Sequence, residues 1–370
     1  MAVSTKLRLR GVWFQVHKWI GIILAVLIIP ISVTGAALVW KDGLDGLANP
    51  DRYAVSGPAT LTPERYAAAA SVVVRPGERI SNIRYPEGEG PVVVTVARPP
   101  VEGETRPVRT MIWLDGADAR ILDAAASDEG IVRVFHVLHG SLMVPGMGRQ
   151  VVGWIGVAML ISSLSGLWLW WPLSGRWTRG LRWKRQPSTN ANIHHQAGFW
   201  IAVPLAMLSF TGVWISFPPF FAALSGTPAP KPRAAPSQPL AQPLLGADGA
   251  LAAATPLATG SLVSVAWPTE AKPAWAVGFA RDGGAPAEVS VDDASGAVTP
   301  PSAPKPETIA RTMRRWHDGT GMGFAFQAII FLGGILPAAL AVTGVLMWFR
   351  SRRWRTDVAR RRTVAMAPAE

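Results

Sequence analysis

The sequence predicts an α-helical membrane protein: a four-helix transmembrane bundle built from two repeats, with two small α+β lobes on the far side of the bilayer. Three observations predict it. Four uncharged apolar runs, 19–40, 151–173, 197–217 and 325–349, are each 21 to 25 residues long, and at 1.5 Å rise per residue each covers the ~30 Å hydrocarbon core of a bilayer. The basic residues collect at alternate ends of those runs. The first half of the chain also matches the second at a nearly fixed offset.

Charge gives the orientation. Of 36 Lys and Arg, 16 lie in 1–19, 174–196 and 350–370, where Asp357 and Glu370 are the only acids; the rest of the chain holds 20 basic and 22 acidic residues. The net charge of +12 is therefore a positive-inside pattern, and the expected partner is a lipid bilayer and not nucleic acid. Both termini and the loop at 174–196 are expected in the cytoplasm. The first run follows a basic start and ends near Gly35-Ala36-Ala37, yet its 22 residues exceed the apolar core of a secretory signal, so it reads as an uncleaved anchor. Cys is absent, which excludes disulfides, iron–sulfur clusters, zinc–thiolate sites and covalently attached haem.

The elements follow in order. Residues 1–40 form the cytoplasmic N-terminus and first span, and 41–130 the first lobe. In that lobe Thr62-Pro63-Glu64 opens a helix through Ala70, and alternating residues predict strands near 79–85, 91–98 and 108–114. Residues 131–173 hold an outer His-bearing segment and the second span, 174–196 the basic loop, and 197–217 the third span. The second lobe, 218–310, begins with a Pro- and Ala-rich linker at 226–243, then a short helix near 247–254 and strands near 261–267, 274–281 and 287–292. Residues 311–349 repeat the outer His segment and span, and 350–370 form a basic tail.

An offset of 177 places His17, Gly21 and Thr34-Gly35 on His194, Gly198 and Thr211-Gly212, and Asp115 on Asp292. One residue more places His139 on His317 and Ser165-Gly166 on Thr343-Gly344. Both halves enter the membrane in the same direction, so their pseudo-twofold axis runs along the membrane normal. Corresponding residues then share a depth and can face each other across the bundle.

All six His lie at span mouths: His17, His194 and His195 inside, His136, His139 and His317 outside. The repeat pairs His17 with His194 and His139 with His317. One imidazole pair on each side of the membrane is what two noncovalent bis-histidine b-type haems require, the haem iron being bound through these same histidines. His136 can replace His139 or contact a haem propionate, and His195 is a weaker candidate because it points about 100° away from His194 on a helix. A structural or other-metal role remains the alternative, although zinc wants three or four ligands and only His136 and His139, three apart on one helical face, begin such a cluster. Gly21, Gly35, Gly166, Gly198, Gly212 and Gly344 permit close approach of helix to helix or of backbone to a macrocycle. The spans hold no ionisable residue, which disfavours a pump or permease.

The segments Trp13-Phe-Gln-Val-His17-Lys-Trp-Ile-Gly21, His136-Val-Leu-His139-Gly140, His194-His195-Gln-Ala-Gly198 and Arg315-Trp316-His317-Asp318-Gly319 resemble those of PepSY-associated transmembrane proteins, in particular the inner-membrane ferrisiderophore reductases. The resemblance covers nearly the whole chain and makes both lobes PepSY-like, the second more weakly. It implies a multi-pass protein of the bacterial inner membrane that binds two b-type haems, passes electrons to a ferric siderophore or other ferric chelate in the periplasm, and releases ferrous iron. Arg133, Arg149, Arg314 and Arg315 could attract an anionic chelate at the outer mouth, with Met143, Trp316 and Met322 packing on it. No Gly-x-Gly-x-x-Gly motif follows a strand on the cytoplasmic side, so a reductase protein or a quinol must donate the electrons. The runner-up is a non-catalytic PepSY-bearing membrane module that binds a peptide or uptake partner.

Overall fold

The computed structural model describes residues 5–99, 107–172, 176–183, 186–228, 237–258, 260–281, 285–303 and 307–365. In chain order the helices are α1 (Thr5–Leu38), α2 (Lys41–Ala48), α3 (Pro63–Ser71), α4 (Ile131–Ser141), α5 (Gly148–Trp170), α6 (Thr189–Ser216), α7 (Pro218–Leu224), α8 (Ala247–Ala254), α9 (Ile309–Asp318) and α10 (Gly323–Ala365). The strands are β1 (Arg79–Arg84), β2 (Val92–Ala97), β3 (Arg109–Leu114), β4 (Ile121–Ala126), β5 (Leu262–Ala266), β6 (Ala274–Phe279), β7 (Ala287–Asp292) and β8 (Val298–Thr299). The chain divides into a helical unit, 1–41, 135–230 and 307–370, and a sheet unit, 42–134 and 231–306. Much of the Pro-rich linker expected at 226–243 lies outside the described residues, as do parts of the basic loop and the end of the tail.

In the helical unit, and among the described residues, four helices are long and apolar enough to cross a membrane: Leu7–Leu38, Gly148–Trp170, Thr189–Ser216 and Gly323–Val358. They correspond to the four apolar runs, but α1, α6 and α10 continue into charged or polar sequence. A helix does not stop where its apolar run stops, because long basic side chains at its end can reach back to water. Arg10, on the second turn of α1, donates to the carbonyls of Trp168, Leu169 and Trp171. It thereby satisfies acceptors that the C-terminal turn of α5 leaves without intrahelical partners. Ser188 caps α6 by accepting from the Ala191 amide, and Thr308 caps α9 by accepting from Arg311.

Helices α1 and α5, α5 and α6, α6 and α10, and α10 and α1 pack directly on one another. They close a ring in which α1 lies diagonally across from α6. Ala25, Ile28, Ile31, Ile155 and Ala341 form a buried apolar cluster in its middle. Residues 218–224, expected in the second lobe, form α7 and belong to this helical unit.

The sheet unit differs from two separate lobes. Its strands run β4-β3-β2-β1-β5-β6-β7-β8, all neighbours antiparallel, so the two four-stranded halves join edge to edge. The joint is β1 on β5, where Ile83 pairs with Val265 and both are fully buried. Each half has one more strand than its alternation suggested. Helices α3 and α8 share a single core with the joined sheet, built on Tyr66, Val94, Ile112, Trp275, Val277 and Val289. The backbone keeps the repeat register here, with the Asp115 amide donating to Arg120 as the Asp292 amide does to Ala297, but the buried carboxylate is Asp115 in one half and Asp293 in the other. Asp115 accepts from the Ser56 amide, and Asp293 from the amides of Leu244 and Leu245 and from the Trp275 indole.

Candidate functional site

Four histidines in the helical unit form two facing pairs. The rings of His17 on α1 and His194 on α6 have centroids 6.3 Å apart, nearly perpendicular, and those of His139 on α4 and His317 on α9 are 5.9 Å apart, tilted by 40°. These are the two pairs the repeat predicted. From residue 17 to residue 35, against which the second pair rests, α1 rises about 27 Å, so the pairs sit close to one bilayer thickness apart.

Each ring is held by the partner helix of its own half. Nδ1 of His17 lies 3.0 Å from the Ser162 carbonyl and 3.3 Å from Ser165 Oγ on α5, and Nδ1 of His139 lies 2.8 Å from the Ile31 carbonyl on α1. Nδ1 of His194 lies 3.0 Å from Thr343 Oγ1 on α10, and Nδ1 of His317 lies 3.0 Å from Thr211 Oγ1 on α6. A glycine beside each hydroxyl residue lets the ring approach. A Cβ at Gly35, Gly166, Gly212 or Gly344 would stand 2.5, 3.0, 3.2 or 3.5 Å from Cε1 of His139, His17, His317 or His194 respectively. The Ser/Thr-Gly pairs that marked the repeat are thus seats for histidines. Their signal was present in the sequence, but glycine in a membrane helix more commonly serves helix packing.

A carbonyl oxygen only accepts, so Nδ1 of His17 and His139 carries the proton and the lone pair of the neutral ring is on Nε2. Burial favours the neutral form of His139 and His317. It lowers the pKa of His139 and brings that of His317 down to about 4, the neighbouring His139 adding to the effect. A neutral imidazole with its lone pair on Nε2 is a metal ligand. At about 2 Å per metal–nitrogen bond, a ring separation of about 6 Å matches one metal atom between two imidazoles.

Among the described residues no group of three or more His, Cys, Asp or Glu converges, so the donors zinc would need are not gathered. Two imidazoles suffice for haem, where the macrocycle supplies the other ligands. Gly21 and Gly198, one turn after His17 and His194, have open space where a side chain would start. They leave room beside the His17–His194 pair and, of the two roles the sequence suggested, do not serve helix-to-helix contact.

The other candidates fall outside the pairs. His136 is exposed on α4, and His195 stacks on Trp170, whose other stacking partner is Phe199. Arg315 forms a two-point ion pair with Glu307. Arg149 is exposed and donates to the Ile215 carbonyl at the end of α6. Arg314 and Trp316 are exposed on α9, Met143 is exposed, and Met322 and Arg133 are half-buried. The turn holding Met143 is strained: Leu142 and Met143 take φ of 51° and 58°, a region costly for residues with a Cβ.

A family model described as PepSY-associated TM region matches residues 14–351. No curated protein matches the chain.

Proposed function

The chain belongs to the PepSY-associated TM family, and from that premise we propose that it is a di-haem membrane oxidoreductase that passes electrons across the bilayer to a ferric siderophore or other ferric chelate. The observation that carries this reading is the pair of facing histidines near each end of the helix ring. His17 with His194 would hold one b-type haem, and His139 with His317 the other. Each haem would supply a one-electron couple that no side chain here provides.

The protein's own part is to orient and insulate. The seats fix the four rings, and the apolar cluster of Ile28, Ile31 and Ile155 between the two levels keeps water out of the bundle. Uncharged spans offer no path for ions, while electrons need none. In this reading the basic end is cytoplasmic, the electron donor is a reductase or quinol, and exposed Arg314 and Trp316, on the helix that carries His317, meet the anionic chelate. One absorption spectrum tests it. Detergent-purified protein should show a Soret band and, on reduction, b-type bands at two haems per chain, and fewer than one per chain would refute it.

The family description names a membrane region and no redox group, which favours a second reading. In it the chain is a non-catalytic membrane module whose sheet unit binds a peptide or uptake partner, and the histidine pairs are structural. Purified protein would then lack the Soret band.

A further inference from the structure

We propose that Thr211 and Thr343 are positioning residues that fix the tautomer of His317 and His194, making Nε2 the nitrogen each ring offers to a haem iron; this rests on the haem reading above. A hydroxyl can donate or accept, so a Thr–His contact alone leaves the tautomer open. The second contact of each threonine closes it. Thr343 Oγ1 lies 2.9 Å from the Ala339 carbonyl and 3.1 Å from that of Leu340, and Thr211 Oγ1 lies 2.9 Å from the Met207 carbonyl and 3.1 Å from that of Leu208.

Carbonyls cannot donate, so the one hydroxyl proton is committed to the helix backbone. The oxygen has only lone pairs left for the ring, and the ring must be the donor. His194 and His317 therefore carry the proton on Nδ1, as His17 and His139 do against their carbonyls. All four imidazoles then share one tautomer, and the carbonyls of Leu340 and Leu208, which the same threonines contact, also lie within reach of His194 and His317.

An acceptor on Nδ1–H also raises the basicity of Nε2, and a more basic ligand favours ferric over ferrous iron. Removing it weakens metal binding about 10- to 100-fold. Thr343→Val and Thr211→Val keep the branched shape and remove the oxygen, whereas Thr→Ser keeps the oxygen.

The test has two arms. In haem-free protein labelled with 15N-histidine, and with resonances assigned by His194→Gln and His317→Gln, nitrogen shifts should place the proton of both rings on Nδ1. Thr343→Val should shift the nitrogen resonances of His194 alone and Thr211→Val those of His317 alone, with Thr→Ser restoring each. In haem-loaded protein each Val variant should raise the midpoint potential of one haem and weaken its retention about 10- to 100-fold, again with rescue by Ser. Wild-type rings protonated on Nε2, or Val variants with unchanged nitrogen resonances and potential, would overturn the proposal. A chain that takes up no haem while the resonances shift as described overturns the haem reading and supports the threonines' hold on the rings.

Discussion

Gly35 and His139 are in such close contact that a Cβ at residue 35 would stand 2.5 Å from Cε1 of the ring. No side chain fits there unless the imidazole moves. The same construction at Gly344 gives an ordinary contact of 3.5 Å to His194.

Gly35→Ala is therefore expected to displace His139, with about 1–3 kcal/mol of overpacking cost, and on the proposed di-haem reading to lower bound haem from two per chain toward one. Gly344→Ala should retain both haems. A pyridine haemochrome assay on the two variants distinguishes them, and equal haem content in both would contradict the seat geometry.

On the proposed di-haem reading, pairing across the halves predicts which haem each histidine would serve. His17→Ala and His194→Ala should each disturb one and the same haem and leave the other spectrally intact; His139→Ala and His317→Ala should do likewise for the second. Resolved potentiometric titration checks this. Loss of one haem by both His17→Ala and His139→Ala would mean that each lies within a half.

Orientation is open to direct measurement. A reporter inserted at Gly90 or Gly296 should read as periplasmic, and one after Trp183 as cytoplasmic. The reverse pattern would contradict the argument from basic residues.

Arg52 makes a further prediction, in the sheet unit. Its side chain is 10% exposed and bridges Asp45 at 3.0 Å and Asp123 at 2.6 Å, while its guanidinium lies 4.0 Å over the Trp113 ring. Arg52→Ala leaves both carboxylates without this partner and should cost about 3 kcal/mol. Arg52→Lys should recover little of that loss, because an ammonium cannot span two carboxylates and stack on the ring as a guanidinium does. Hydrogen exchange in β4, which contains Asp123, is the readout.

The spans and the histidine pairs were legible because each follows from a local or repeated pattern. An uncharged run of 22 residues has few alternatives, and a repeat that maps His17 onto His194 places them opposite each other before any fold is known. The β1–β5 joint was not legible. Ile83 and Val265 alternate as any half-buried strand does, and nothing local says which edge meets which. The start of α1 at Thr5 was not legible, because basic residues end an apolar run without ending a helix. Which carboxylate is buried, Asp115 in one half and Asp293 in the other, was not legible, because the two turns share one backbone pattern and differ only in the side chain that faces inward. His139 over His136 and His194 over His195 were expected from the repeat, and in the structure the first of each couple faces a partner ring.

The order of the sheet has a consequence for assembly. Either half alone would end in a bare strand, β1 or β5, with unpaired backbone groups along its edge, and such an edge recruits other chains. The surface shaped to cover it is the matching strand of a second half. In separate molecules that cover would depend on concentration and fail on dilution. Carried in one chain it becomes an intramolecular closure, its effective concentration set by the connecting segments, and the sheet completes itself at any dilution.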